Sequence, residues 1–236
     1  MLKLGHLFTL ISLSLACCLA HALPKNIQLQ YDLTRNSKQF AVVKETFTQN
    51  GKEYRIQSVT KGLGVYALMG ERIAISTGVV SRAGLKPSRF ELRQGKSAKK
   101  TLIAEFNWAE NTINMQSKGE TKTLKLEAGT QDLVSYAYQF MYLYQLSPPS
   151  KDVIKVNLTT GKNLNQYEYK VIARSVMITA ADTNYKTIHI SKEAGAQDDK
   201  KQLWLAEEQF YLPVRYTLKN ENGESFEQTL TKIHVE

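Results

Sequence analysis

The stretch Thr130 to Leu146, TQDLVSYAYQFMYLYQL, decides the fold, because it is the one segment whose apolar residues recur at helical spacing. On a helical wheel Leu133, Tyr136, Ala137, Phe140, Met141, Leu143 and Tyr144 form a broad apolar arc, with Phe140 and Tyr144 expected to point inward. Gln131, Ser135, Gln139 and Gln145 take the other side, together with Tyr138 and Tyr142. No charged residue occurs between Leu133 and Ser150. Asp132 stands where an N-terminal cap or first-turn acid stabilises a helix. Ser147-Pro148-Pro149-Ser150 ends the helix, since proline lacks the amide hydrogen and restricts the residue before it.

Working outward, everything on either side reads as β-strand. Phe40 and Val42 alternate with polar neighbours before Asn50-Gly51, and Tyr54 and Ile56 resume the alternation after it, which is a strong hairpin signal. Leu102, Ala104, Phe106 and Trp108 mark one strand face. A turn at Ala109-Glu110-Asn111 leads to Ile113 and Met115, and another at Lys118-Gly119-Glu120 to Leu124 and Leu126. Beyond the helix, Tyr167, Tyr169 and Val171 alternate, as do Ile188 and Ile190. Phe210, Leu212, Val214, Tyr216 and Leu218 share a face of the clearest strand, where Pro213 implies a sheet edge or a bulge. Asn220 to Glu224 turns the chain into a last strand, Phe226 to Val235. With no fixed-period repeat and no long linker, the expectation is mainly β. It is one antiparallel meander over residues 23–236, forming a strongly curved sheet or open barrel with a single helix at about 131–146 packed on it.

Lys3, the apolar run Leu7 to Leu19 and the small-x-small ending Ala20-His21-Ala22 read as a cleaved secretory signal, residues 1–22. Such a run is too short to span a bilayer comfortably, so no transmembrane segment is expected after signal removal. Cys17 and Cys18 offer the alternative of lipidation, though Ser14-Leu15-Ala16 is a poor match to the residues such sites want before the cysteine. The expected location is the periplasm. Both cysteines of the chain fall within the signal, so the exported part must hold itself together by its core alone. A formal net charge of +9 favours loose association with anionic lipids and polysaccharides, or simply a solvated surface. Outside the cytoplasm nucleic acid is not an expected partner.

Two stretches interrupt the strand pattern. Gly62-Leu63-Gly64-Val65-Tyr66-Ala67-Leu68-Met69-Gly70 is apolar and glycine-rich without the spacing of a phosphate or dinucleotide loop. It reads either as a plain connection or bulged strand, or as an apolar lip over a cavity to which Tyr66 and Met69 would contribute. The second stretch, Arg82 to Lys100, carries Arg82, Lys86, Arg89, Arg93, Lys96, Lys99 and Lys100 against Glu91 alone. Alternation through Phe90 and Leu92 places Arg89, Glu91 and Arg93 on a wet outer face. A solvated face and an anion patch built from Arg82, Lys86, Arg89 and Arg93 both remain open.

Several of these patterns, in order, resemble one family of exported bacterial proteins, the domain-of-unknown-function family 3108. They are Tyr31-Asp32-Leu33, Gly84-Leu85-Lys86-Pro87-Ser88-Arg89-Phe90, Phe106-Asn107-Trp108, Thr130 to Ser135, Leu203-Trp204-Leu205-Ala206, and Leu212-Pro213-Val214-Arg215. The resemblance implies a periplasmic, mostly β protein and carries over no catalytic residue. Asn107 departs from it, standing where an aspartate is expected between the two aromatics.

Catalytic chemistry is hard to place. After the signal there is no cysteine, and the two histidines, His189 and His234, lie far apart, which excludes thiolate nucleophiles and thiolate metal sites. No Gly-x-Ser-x-Gly elbow occurs. Gln94-Gly95-Lys96-Ser97 looks like the end of a phosphate loop, but Phe90 stands where the first glycine belongs. Asp198, Asp199, Glu207 and Glu208 are the nearest acid clusters for a hydrolase, and they read better as turns. No catalytic residue, metal or cofactor is therefore expected. The leading expectation is a non-enzymatic binder of a hydrophobic or amphipathic envelope component, with Tyr138 and Tyr142 lining a groove beside the helix. The alternative is a protein-interaction module that holds an envelope protein; an envelope hydrolase comes third.

Overall fold

The computed structural model describes residues 23–95, 100–146, 152–192 and 200–236. The expected signal at 1–22 with Cys17 and Cys18, the helix stop at Ser147 to Ser150, and Lys96, Lys99, Asp198 and Asp199 lie outside the described residues.

Eight strands follow one another as an antiparallel meander: β1 (Asn26–Arg35), β2 (Lys38–Asn50), β3 (Glu53–Gly62), β4 (Arg72–Ser81), β5 (Gly84–Gln94), β6 (Leu102–Asn107), β7 (Thr112–Ser117) and β8 (Glu120–Lys125). The chain then forms the two-residue β9 (Gln131–Asp132) and α1 (Ser135–Leu146). It continues through β10 (Val153–Thr159), β11 (Leu164–Ala180), β12 (Thr183–Lys192), β13 (Lys200–Ala206), β14 (Leu212–Lys219) and β15 (Ser225–Val235). These fifteen strands make one sheet, in the order β8 back to β1, then β15 back to β9. The halves join where β1 pairs antiparallel with β15. All pairings are antiparallel except the short one between β9 and β10.

The topology dictates the curvature. β8 and β9 are the two edges of the sheet, yet only Leu126 to Thr130 separates them in the chain. Five residues reach at most roughly 18 Å, so the sheet must roll until its edges approach each other. Side chains then bridge the gap that no ladder closes. Gln131 Nε2 donates to the Leu85 carbonyl at 2.9 Å, and Thr159 Oγ1 donates to Met115 Sδ at 3.2 Å. The result is an open barrel with α1 inside.

The barrel interior explains the helix. Phe140 and Tyr144 pack against Ile154, Val156, Tyr169, Ile190 and Leu203 from the second half of the sheet. Tyr138, Met141 and Tyr142 pack against the first half, with the Tyr138 ring stacked on Phe47 at 5.4 Å. The inward placement of Phe140 and Tyr144 agrees with the wheel; that of Tyr138 and Tyr142 corrects it, since they are 1% and 2% exposed. A wheel equates polar atoms with water, but here the hydroxyls and amides serve as handles into the sheet. Tyr138 donates to the Glu45 carboxylate at 3.3 Å and Tyr142 to Gln49 Oε1 at 3.5 Å.

Gln139, on the same side, fastens the helix to the β4–β5 turn. Its Oε1 accepts from the Leu85 amide at 2.7 Å and its Nε2 donates to the Ala83 carbonyl at 2.8 Å. The turn residue Gly84 has φ +99, and a Cβ there would stand 2.4 Å from Gln139 Oε1. Gly84→Ala is therefore expected to combine backbone strain with the loss of both hydrogen bonds, about 2–4 kcal/mol in all, measured as a lower midpoint in urea with unchanged slope.

Three details differ from the sequence reading. The helix starts at Ser135 because Gln131 and Asp132 are drawn into the parallel pairing with Leu158 and Thr159. In β2 the buried face is Ala41, Val43 and Phe47, one residue out of phase with the Phe40 and Val42 face. Pro213 does sit at a bulge, between Trp204 and Leu205 in the partner register, but β14 is paired on both sides and is no edge. The buried faces of Tyr54 and Ile56, Phe90 and Leu92, Ala104 and Phe106, and Ile113 and Met115 are as the alternation predicts.

Candidate functional site

A cavity of about 430 Å³ lies between the first turn of α1 and the inner face of the sheet. Leu33, Val43, Leu133, Val134, Ala137 and Leu203 give it apolar walls, and Tyr31 and Tyr136 add ring faces. Its mouth is overhung by the connection between β3 and β4, where Gly64–Met69 forms a 3₁₀ turn. Tyr66 and Met69 both line the cavity, the Tyr66 ring lying 5.3 Å from Phe40. Tyr138 and Tyr142 do not line it: they are spent on the core, and Tyr136 and Ala137 take the place expected of them.

Glycines build this lip. Gly64 and Gly70 flank it at φ +54 and +71, and a Cβ on Gly62 would stand 2.3 Å from the Tyr66 carbonyl oxygen. Val65, Leu68 and Met69 are 76%, 90% and 64% exposed, so the turn presents an apolar crest to solvent. Gln94 ties the crest down, its Nε2 donating to the Met69 and Gly70 carbonyls at 3.2 and 3.3 Å. Gly62→Ala is expected to push the turn away from the mouth, at about 1–3 kcal/mol of stability. Faster hydrogen exchange confined to residues 63–70 would report that displacement.

Two charged side chains face this apolar space, and both come from strand alternation. β2 presents Ala41, Val43, Glu45 and Phe47 inward; β4 presents Arg72, Ala74, Ser76 and Gly78. Small residues on β4 let the helix approach, while Ile73 and Ile75 take the outer side. Glu45 accepts from Ser58 Oγ at 3.0 Å and from Tyr138, and burial pushes its carboxyl upward. Burial likewise lowers the Arg72 guanidinium, opposed by the charge of Glu45.

Below the cavity, Asp132 is fully buried and joins α1 to the sheet. Its Oδ1 accepts from the Val134 and Ser135 amides at 3.0 and 2.9 Å, while its own amide donates to Ser135 Oγ at 2.9 Å. Asp132 thus caps the helix, as its position suggests, and Ser135 makes the cap reciprocal. Its Oδ2 accepts from Ser76 Oγ at 2.6 Å, and Ser76 in turn meets Tyr54 Oη at 3.1 Å. Burial raises the carboxyl to about 6 despite these donors.

The basic stretch does not converge on one point. Arg82 and Arg93 lie at opposite ends of the β4–β5 hairpin, roughly 35 Å of strand apart. Arg93 pairs with Glu91 at 3.1 Å, and Arg89 with Glu91 at 3.2 Å and Glu105 at 2.5 Å. Lys86 lies over the Trp108 ring at 5.2 Å. On the outer face Glu91 and Glu105 thus pair with Arg89 and Arg93, and the four cations are spread along the hairpin. His189 stacks on Trp204 at 4.3 Å, His234 meets Glu236 at 2.8 Å, and Glu207 pairs with Lys186 at 3.3 Å. Among the described residues no three metal-ligating side chains come together. A second recess, about 640 Å³, opens between β1, β2, β12 and β15; α1 contributes nothing to it, and Lys44, Thr46, Lys232 and His234 make it wetter.

One open sheet rolled around a single helix, with an apolar cavity beside that helix, defines a mainly β open-barrel protein. The chain belongs to the family described as protein of unknown function DUF3108, whose model matches residues 30–231, from within β1 to within β15. The resemblance carried by the ordered motifs is therefore a family membership. No curated protein matches the chain.

Proposed function

We propose that this protein is exported to the periplasm and binds one apolar or amphipathic component of the envelope, without chemically changing it. The observation that carries this reading is the cavity of about 430 Å³ under an apolar lip. Its size falls in the range of small-ligand pockets, about 300–1,000 Å³, and its walls are apolar with few polar groups, as such pockets are. That volume suits a single chain and is too small for a lipid with several. The exposed crest of Val65, Leu68 and Met69 supports transfer between the cavity and an apolar surface. The positive net charge supports residence near anionic envelope surfaces.

The test is to purify the protein from its own envelope without detergent, extract it with solvent and analyse the extract by mass spectrometry. About one amphiphile per chain is the expected result, with a mature N-terminus at Leu23. Protein that emerges empty, and that takes up no detergent-like probe afterwards, would contradict the reading. The same crest favours one rival, docking of an envelope protein. A photocrosslinker at Leu68 separates the two, because a stoichiometric protein adduct favours the rival and lipid adducts favour the cavity.

A further inference from the structure

Register places a polar row at the cavity mouth. Val43, Thr60, Arg72 and Gln94 are consecutive partners across β2, β3, β4 and β5, and all four line the cavity. Such partners on one face stand about 5 Å apart, so Thr60 and Gln94 are the cross-strand neighbours of Arg72. Arg72 is the one cation among the described lining residues. Arg72 is half-buried, and among the described residues it makes no hydrogen bond and no ion pair within 4 Å. Glu45 is the acid that faces the same space, and its carboxylate is taken up by Ser58 and Tyr138.

Resting on the cavity reading above, we propose that Arg72 recognises the head of the ligand, which is a single-chain amphiphile ending in a carboxylate. The planar guanidinium fork matches a carboxylate with two parallel hydrogen bonds, and Thr60 supplies a hydroxyl beside it, while Gln94 holds the crest in place. Arg72 offers a single positive charge, already partly offset by Glu45, which disfavours a doubly charged phosphate head. The tail then runs from the mouth along Leu33, Val43, Leu133 and Ala137. Glu45, further in, opposes any entry head first.

The experiment titrates delipidated protein with three probes of equal chain length: laurate, dodecanol and dodecyl phosphate. Sodium acetate and inorganic phosphate serve as headgroup-only controls. Laurate is expected to bind about tenfold tighter than dodecanol, and also tighter than dodecyl phosphate, with neither control binding measurably. Arg72→Gln is expected to bring laurate and dodecanol to equal affinity, while Arg72→Lys keeps part of the preference. Glu45→Gln is expected to keep or enlarge it. Equal binding of laurate and dodecanol by the unaltered protein overturns the head-group assignment and leaves the cavity reading standing. So does a preference that follows Glu45 and ignores Arg72, or one that is greatest for the phosphate. Failure of all three twelve-carbon probes overturns the cavity reading itself.

Discussion

Asp132→Ala is expected to cost about 3–4 kcal/mol of folding stability at pH 4, the largest loss from any single side chain at the helix entry. The carboxyl holds two backbone amides of the first turn and the Ser76 hydroxyl at once. Losing an N-terminal cap costs about 1–2 kcal/mol, and a buried hydroxyl left without its acceptor about 1–3 kcal/mol. The loss should shrink at pH 7, because burial disfavours the ionised form. Its carboxyl is raised from 3.8 to about 6, so the stability tied to the protonated form is complete below the ordinary value and disappears as pH climbs through about 6. The window is therefore about pH 4 to 6, and the change across it is roughly 3 kcal/mol. Asp132→Asn keeps an acceptor for the amides and cannot ionise. It should match the unaltered protein at pH 4 and exceed it at pH 7. Urea midpoints of the three proteins at both pH values check this, and parallel pH profiles for the unaltered protein and the Asp132→Asn variant would refute the buried-acid account.

Ala137→Trp is expected to empty the cavity of ligand. Ala137 is half-buried on the helix and its side chain faces the void, so an indole can extend into space that no other atom occupies. Filling a void adds contacts, whereas overpacking a dense core costs about 1–3 kcal/mol. The unfolding midpoint should thus stay within a few degrees while amphiphile affinity falls at least tenfold. Titration beside calorimetry separates the effects. Undiminished affinity would move the ligand elsewhere, the wetter recess near Lys44 and His234 being the first alternative.

The architecture was legible because most strands bury one face only. Phe90 with Leu92, and Ile113 with Met115, alternate cleanly, and the Asn-Gly, Lys-Gly and Asn-Glu-Asn-Gly turns separate the runs. The connection was legible as a break, since an apolar run between three glycines fits neither strand nor helix, though the sequence left plain connection and lip both open. The charged residues of the cavity were not. A one-residue phase error on β2, starting from the aromatic Phe40, hid that Glu45 faces inward with Val43 and Phe47. On β4 the isoleucines point outward and the small residues inward, the reverse of a hydrophobicity reading, so nothing in the sequence singled out Arg72 as a cavity residue. The detectable signal in both strands is a charge in step with core residues: Glu45 with Val43 and Phe47, Arg72 with Ala74 and Ser76. Tyr138 and Tyr142 misled for another reason. Nothing local reveals that a rolled sheet covers the helix on both sides.

The most direct measurement is a crystal structure of the delipidated protein soaked with laurate. A continuous chain of density is expected from Arg72 past Leu33 and Val43 to Ala137, with Tyr66 and Met69 closed over the mouth. Density confined to the outer recess, or a cavity that stays dry at saturating laurate, would contradict it.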